Sequence, residues 1–118
     1  MTLTLDTHIS VLGTEYRVFI TTEEEDSRLK GADGACDYYA KEILIRQDPD
    51  IWQKLEYTKK VIRHEIIHAF MFESGLSLNW EHKEFGQEET VVDWFAIQID
   101  KINKAVLAAY AYLKEEDA

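Results

Sequence analysis

Five consecutive residues, His64-Glu65-Ile66-Ile67-His68, carry the chemistry most readily read from this 118-residue chain. They form an H-E-x-x-H pattern. On a helix, side chains four apart lie one turn above each other on the same face, so both imidazoles can bind one ion about 2.0–2.1 Å from each nitrogen. Glu65 follows His64 by about 100° of rotation, which brings its carboxylate beside that ion as a general base toward a water held there. Chance produces this spacing on the order of once in a hundred chains of this length and composition.

A catalytic zinc needs a third protein ligand and keeps a further position open. The extended pattern H-E-x-x-H-x-x-G-x-x-H is absent, because Met71 and Ser74 occupy the glycine and third-histidine positions. The third ligand must come from elsewhere. The segment Gln87-Glu88-Glu89-Thr90-Val91-Val92-Asp93 offers Glu89 and Asp93 one turn apart on one helical face. Glu89 is the preferred metal ligand. Asp93 is then placed to accept the spare N–H of a ligand histidine and fix its tautomer. Glu88, rotated about 100° away, and His82, in the connection, are the alternatives for the ligand. Acids in a first helical turn are also favoured by the helix dipole alone.

Hydrophobic patterning supplies the elements that must hold these residues. From His8 to Ile20 the chain alternates and is rich in β-branched and aromatic residues, which predicts a hairpin of 7–12 and 15–21 turning at Gly13-Thr14. Thr21 to Gly34 reads as an acidic solvated loop with room for a short helical turn. Ala35–Tyr39 and Glu42–Arg46 predict a second hairpin, with Ile43 and Ile45 on one face and Leu44 on the other. Asp48-Pro49 reads as a helix start, Gly75 as a left-handed cap, and Ile51–Ser74 as one long helix with Leu55, Ile62, Ile66, Ala69 and Phe70 facing the core. A second helix is expected from Gln87 to Lys114, with Val91, Val92, Phe95, Ile99, Ile102, Val106 and Leu107 as its apolar stripe, and the alanine-rich run to Ala118 reads as helical too. Two strand pairs followed by two helices indicate an α+β fold.

His64-Glu65-Ile66-Ile67-His68-Ala69-Phe70, the later Glu89-Thr90-Val91-Val92-Asp93-Trp94-Phe95-Ala96, and the hairpin from Asp37-Tyr38-Tyr39 to Ile43 together resemble the small zincin-type metallopeptidases of the ImmA/IrrE kind. The compact versions met in bacteriophages and mobile elements are the most similar, over roughly residues 35–100. This resemblance implies a minimal zincin-like core: a small antiparallel sheet of two hairpins packed on an active-site helix and a long C-terminal helix. It further implies Zn2+ bound by His64, His68 and a glutamate of the next helix, Glu89 here, and cleavage of a repressor-type regulatory protein. Glu65 would exchange the proton between attacking water and leaving amine. A strand edge at Ile43–Arg46 would pair with an extended substrate. Tyr38, Tyr39 and His82 are candidates to stabilise the oxyanion, with aromatic packing as the alternative role of the tyrosines.

Composition narrows the partners. Thirteen Lys and Arg against twenty-three Asp and Glu give a net charge of −10, which repels nucleic acid and anionic lipid and suits a basic protein or peptide substrate. One domain is expected from the length. A single cysteine, Cys36, makes no intrachain disulfide, and the N-terminus has no basic n-region or long apolar run, so a cytoplasmic location is expected. Cys36 reads as a small buried hydrophobe, with a fourth metal ligand as the less favoured role. The competing function is an inert interaction module, with or without metal, presenting Trp52, Trp80, Trp94, Tyr110 and Tyr112 to a partner.

Overall fold

The computed structural model describes residues 2–48, 52–77 and 89–116. Its elements are strands β1 (Thr2–Thr4), β2 (Asp6–Val11), β3 (Thr14–Thr21), β4 (Gly34–Asp37) and β5 (Glu42–Arg46), helices α1 (Lys54–Glu73) and α2 (Glu89–Tyr110), and strand β6 (Lys114–Glu116). A 3₁₀ turn covers Ser27–Leu29. The protein is therefore α+β. Among the described residues, no helix is long and apolar enough to cross a membrane.

Both expected hairpins form. β2 and β3 pair antiparallel around Leu12 and Gly13, whose φ angles of 51° and 90° are the left-handed pair that a two-residue hairpin turn requires. The turn thus falls one residue earlier than Gly13-Thr14. β4 and β5 also pair antiparallel, but β5 pairs in parallel with β3, giving a mixed four-stranded sheet in the order β2-β3-β5-β4. This corrects the expected antiparallel sheet. It also makes Ile43–Arg46 an interior strand, so its edge is not free for a substrate.

A strand inside a sheet covered on both faces is apolar on both sides. Ile43 and Ile45 pack with Tyr16, Val18, Ile62, Ile66 and Phe70 on the helix side, as their alternation predicted. Leu44 joins Phe19 and Leu29 on the opposite side. Leu29 belongs to the segment read as a solvated loop, yet it is fully buried and covers that second face. The adjoining acids are not merely solvated either. Asp26 caps the 3₁₀ turn by accepting the Arg28 backbone N–H at 3.1 Å, and Arg28 joins Asp26, Asp37 and Glu42 in ion pairs of 2.7–2.9 Å.

α1 starts at Lys54, later than expected. Gln53 precedes it at φ 61° without a side-chain cap, and the Asp48 carboxylate meets Lys54 Nζ at 3.1 Å instead of capping the helix. Pro49, Asp50 and Ile51 lie outside the described residues. Packing sustains a helix more than capping does, and Trp52, ahead of it, is 88% exposed. Its end matches expectation: Gly75, at φ 83°, donates to the Phe72 carbonyl.

α2 runs antiparallel to α1, tied by Trp94 Nε1 donating to Ser74 Oγ at 2.9 Å and Tyr110 Oη donating to the Lys59 carbonyl at 3.1 Å. Its buried stripe differs from the expected one. Val91, Ile102, Ala105, Val106 and Ala109 are buried, whereas Ile99 and Leu107 are 51% and 57% exposed. Ile102, Ala105, Val106 and Ala109 recur at helical spacing and form the face turned to the core. The helix stops at Tyr110 rather than Lys114, because Lys114–Glu116 pairs antiparallel with Thr2–Thr4.

Candidate metal centre and its setting

α1 places His64 and His68 one turn apart, as the spacing requires. Their Nε2 atoms are 3.1 Å apart and the rings meet edge to face at 4.7 Å. Two nitrogens bound to one tetrahedral zinc at 2.0–2.1 Å stand about 3.3 Å apart. The separation is close to that of a shared ion, and it is equally the distance of a hydrogen bond between the two rings. Neither ring is core filler: His64 is exposed and His68 half-buried, while Ile62, Ile66, Ala69 and Phe70 supply the core. Burial, then the neighbouring His64, lowers the His68 pKa and favours the neutral ring that a metal ligand needs.

Glu65 differs from a surface glutamate. It is 7% exposed, and burial pushes its carboxyl pKa up to about 7. The cover comes from β4. A Cβ added at Gly34 would stand 2.7 Å from Val61 Cγ1 and 2.9 Å from Glu65 Oε2. Beside this contact a cleft of about 220 Å³ opens between β4 and α1, lined by Asp33, Tyr57, Lys60, His64 and Glu65. Its wall is fixed where the Tyr57 hydroxyl donates to the Asp33 carboxylate. Gly34 was not singled out by sequence reasoning, although a glycine at a strand position signals close approach of another element.

A polar anchor holds the far end of α1. Glu73 accepts from Tyr16 Oη at 2.6 Å, Lys41 Nζ at 2.7 Å and Thr14 Oγ1 at 3.2 Å, joining α1 to β3 and to the β4–β5 turn. Burial alone would raise the Glu73 pKa, but these donors outweigh it and hold the carboxyl below its ordinary value. Tyr38 stacks on Phe72 with ring centroids 4.5 Å apart, and the exposed Tyr39 meets the same ring edge-on at 6.3 Å.

Cys36 is half-buried against the core. Burial first, then Glu65, Asp37 and Glu73, pushes its thiol up to about 12, so without a metal it is a neutral thiol. Glu89 and Asp93 stand one turn apart at the start of α2, and their side chains, with Glu88 and His82, lie outside the described residues. Antiparallel packing carries the first turn of α2 past Ser74, at the end of α1 nearer His68. Among the described residues, no three His, Cys, Asp or Glu side chains gather into a metal-holding group. Of the aromatic residues read as a partner surface, Trp94 and Tyr110 pack on the core, Trp52 and Tyr112 are exposed, and Trp80 lies outside the described residues. Comparison with family models, curated proteins and solved structures found no match.

Proposed function

We propose that this chain is a zinc-dependent metallopeptidase that hydrolyses peptide bonds in a protein substrate, with a repressor-type regulator of a mobile element as the target class. The observation that carries this reading is the 3.1 Å separation of His64 and His68 Nε2, next to a glutamate buried under a strand. Helical spacing brings the two imidazoles together, and what it does not account for is the buried carboxyl beside them. We read the mixed sheet and two helices as a minimal zincin core, with His64, His68 and Glu89 as ligands and Asp93 orienting a ligand imidazole. The contacts of Trp94 with Ser74 and of Tyr110 with Lys59 set Glu89 beyond the end of α1, so its ligation requires the first turns of α2 to move toward His68 when the metal binds.

Zinc, when bound, supplies Lewis acidity and an acidified water. Glu65 takes the proton from the attacking water and returns it to the leaving amine as the carbon–nitrogen bond breaks. β4 pairs with β5 along one side and lies against the site through Gly34, so an extended peptide adding to its other side would run past Glu65. The negative net charge favours a basic substrate protein over direct contact with nucleic acid.

The test combines metal analysis with proteolysis. Chain purified without chelators should hold one zinc, lose it in His64→Ala, and in Glu65→Gln keep zinc while losing hydrolysis. A zinc-loaded Glu65→Gln protein that still cleaves peptide would sink the mechanism. A chain that holds no metal would favour the interaction module.

A further inference from the structure

Gly34 is a glycine for reasons of space alone. Its φ lies outside the left-handed region, so the backbone would accept an L-residue. The three atoms nearest an added Cβ are Val61 Cγ1 at 2.7 Å, Glu65 Oε2 at 2.9 Å and Glu65 Cγ at 3.0 Å. Two of the three belong to Glu65. Val61 is buried, and a β-branched side chain in a helix has one strongly preferred rotamer, so it has little freedom to yield. The Glu65 carboxylate is the far end of a flexible chain, and the cleft beside it gives it somewhere to go. A side chain at position 34 would therefore press β4 away from Val61 and displace the Glu65 carboxylate into the cleft.

We propose that Gly34 is a positioning residue for Glu65: the bare Cα of the edge strand holds open the space in which the carboxylate lies and so fixes it for proton transfer. This rests on the metallopeptidase reading for its catalytic consequence, although the contact itself does not. The strand supplies both the cover that dries the carboxylate and the gap that admits it. Alanine would keep the cover and close the gap.

Three variants separate this role from simple packing. Gly34→Ala should bind zinc like the parent, because neither imidazole is among the nearest atoms, and should lose about a hundredfold in kcat with KM little changed. Adding Val61→Ala removes the tightest contact. The double variant should recover the stability of Val61→Ala alone while its kcat stays low. A double variant as stable and as active as Val61→Ala would overturn the proposal. Independently of activity, urea unfolding of metal-free Gly34→Ala, Glu65→Ala and their combination reads the contact directly. The added methyl should reduce the folding constant about fivefold or more less when Glu65 is truncated, whereas an equal effect in both backgrounds would also overturn it. If the zinc-loaded parent cleaves nothing, the metallopeptidase reading fails, and the unfolding cycle still decides whether Gly34 sets the position of Glu65.

Discussion

Lys41→Met isolates the polar anchor that fixes α1 to the sheet. The substitution keeps most of the aliphatic stem and removes the ammonium, which donates to Glu73 at 2.7 Å and stands 5.5 Å and 5.0 Å over the Tyr16 and Phe72 rings. Breaking a fully buried pair costs about 3–5 kcal/mol. Here the Lys41 side chain is 35% exposed, that of Glu73 is 13% exposed, and Glu73 keeps the hydroxyls of Tyr16 and Thr14. The cost at neutral pH should therefore be about 1.5–3 kcal/mol, allowing for solvent screening. For a chain of this size that is roughly 6–12 °C in Tm.

The same variant carries a pH signature. The folded pKa of Glu73 lies below its unfolded value, so the native state keeps this charge where the unfolded chain takes up a proton. That stabilisation is complete above about pH 5 and is lost as pH falls through the folded value. Without Lys41 the main donor opposing burial is gone, and Glu73 can be protonated at little cost. The difference in unfolding free energy between parent and variant, from urea titrations followed by tryptophan fluorescence, should shrink from pH 7 to about pH 3. An equal difference at both pH values, or a neutral-pH cost below about 0.5 kcal/mol, would refute this account of Glu73.

In zinc competition assays, Glu89→Ala should weaken binding at least about tenfold while Glu88→Ala leaves it unchanged; the reverse order would move the third ligand to Glu88. Leu29→Ala should cost about 2–4 kcal/mol in chemical unfolding, because Leu29 fills the space over Phe19 and Leu44 on the sheet's second face. A cost under about 1 kcal/mol would mean that this face is not a true core. Trp94→Phe should lose about 1 kcal/mol through its hydrogen bond to Ser74, and Ser74→Ala in the Trp94→Phe background should then cost little more.

Local patterning was enough to find both hairpins, the opposed faces of Ile43 and Leu44, and the glycine end of α1, because each follows from period-2 or period-3.6 burial. Non-local pairing was not readable in the same way. Only the parallel match of β3 with β5 makes Ile43–Arg46 interior and leaves β4 as the strand over the site. Lys114–Glu116 has helix-forming composition and becomes a strand by pairing with the N-terminal segment. Within the site, the histidine spacing predicted their convergence, but the burial of Glu65 could not be read from its own helix. It depends on Gly34, thirty-one residues earlier in the chain, letting β4 close over it.

A zinc centre on α1 with Glu65 as its base is open to direct observation. A crystal structure of the zinc-loaded chain, with the metal identified by anomalous scattering at the zinc edge, tests it most directly. The density should show one zinc bonded to Nε2 of His64 and His68 and to a Glu89 carboxylate oxygen, with one position open and the Glu65 carboxylate beside it. Zinc bound elsewhere, or no anomalous peak between the two imidazoles in chain saturated with zinc, would contradict it.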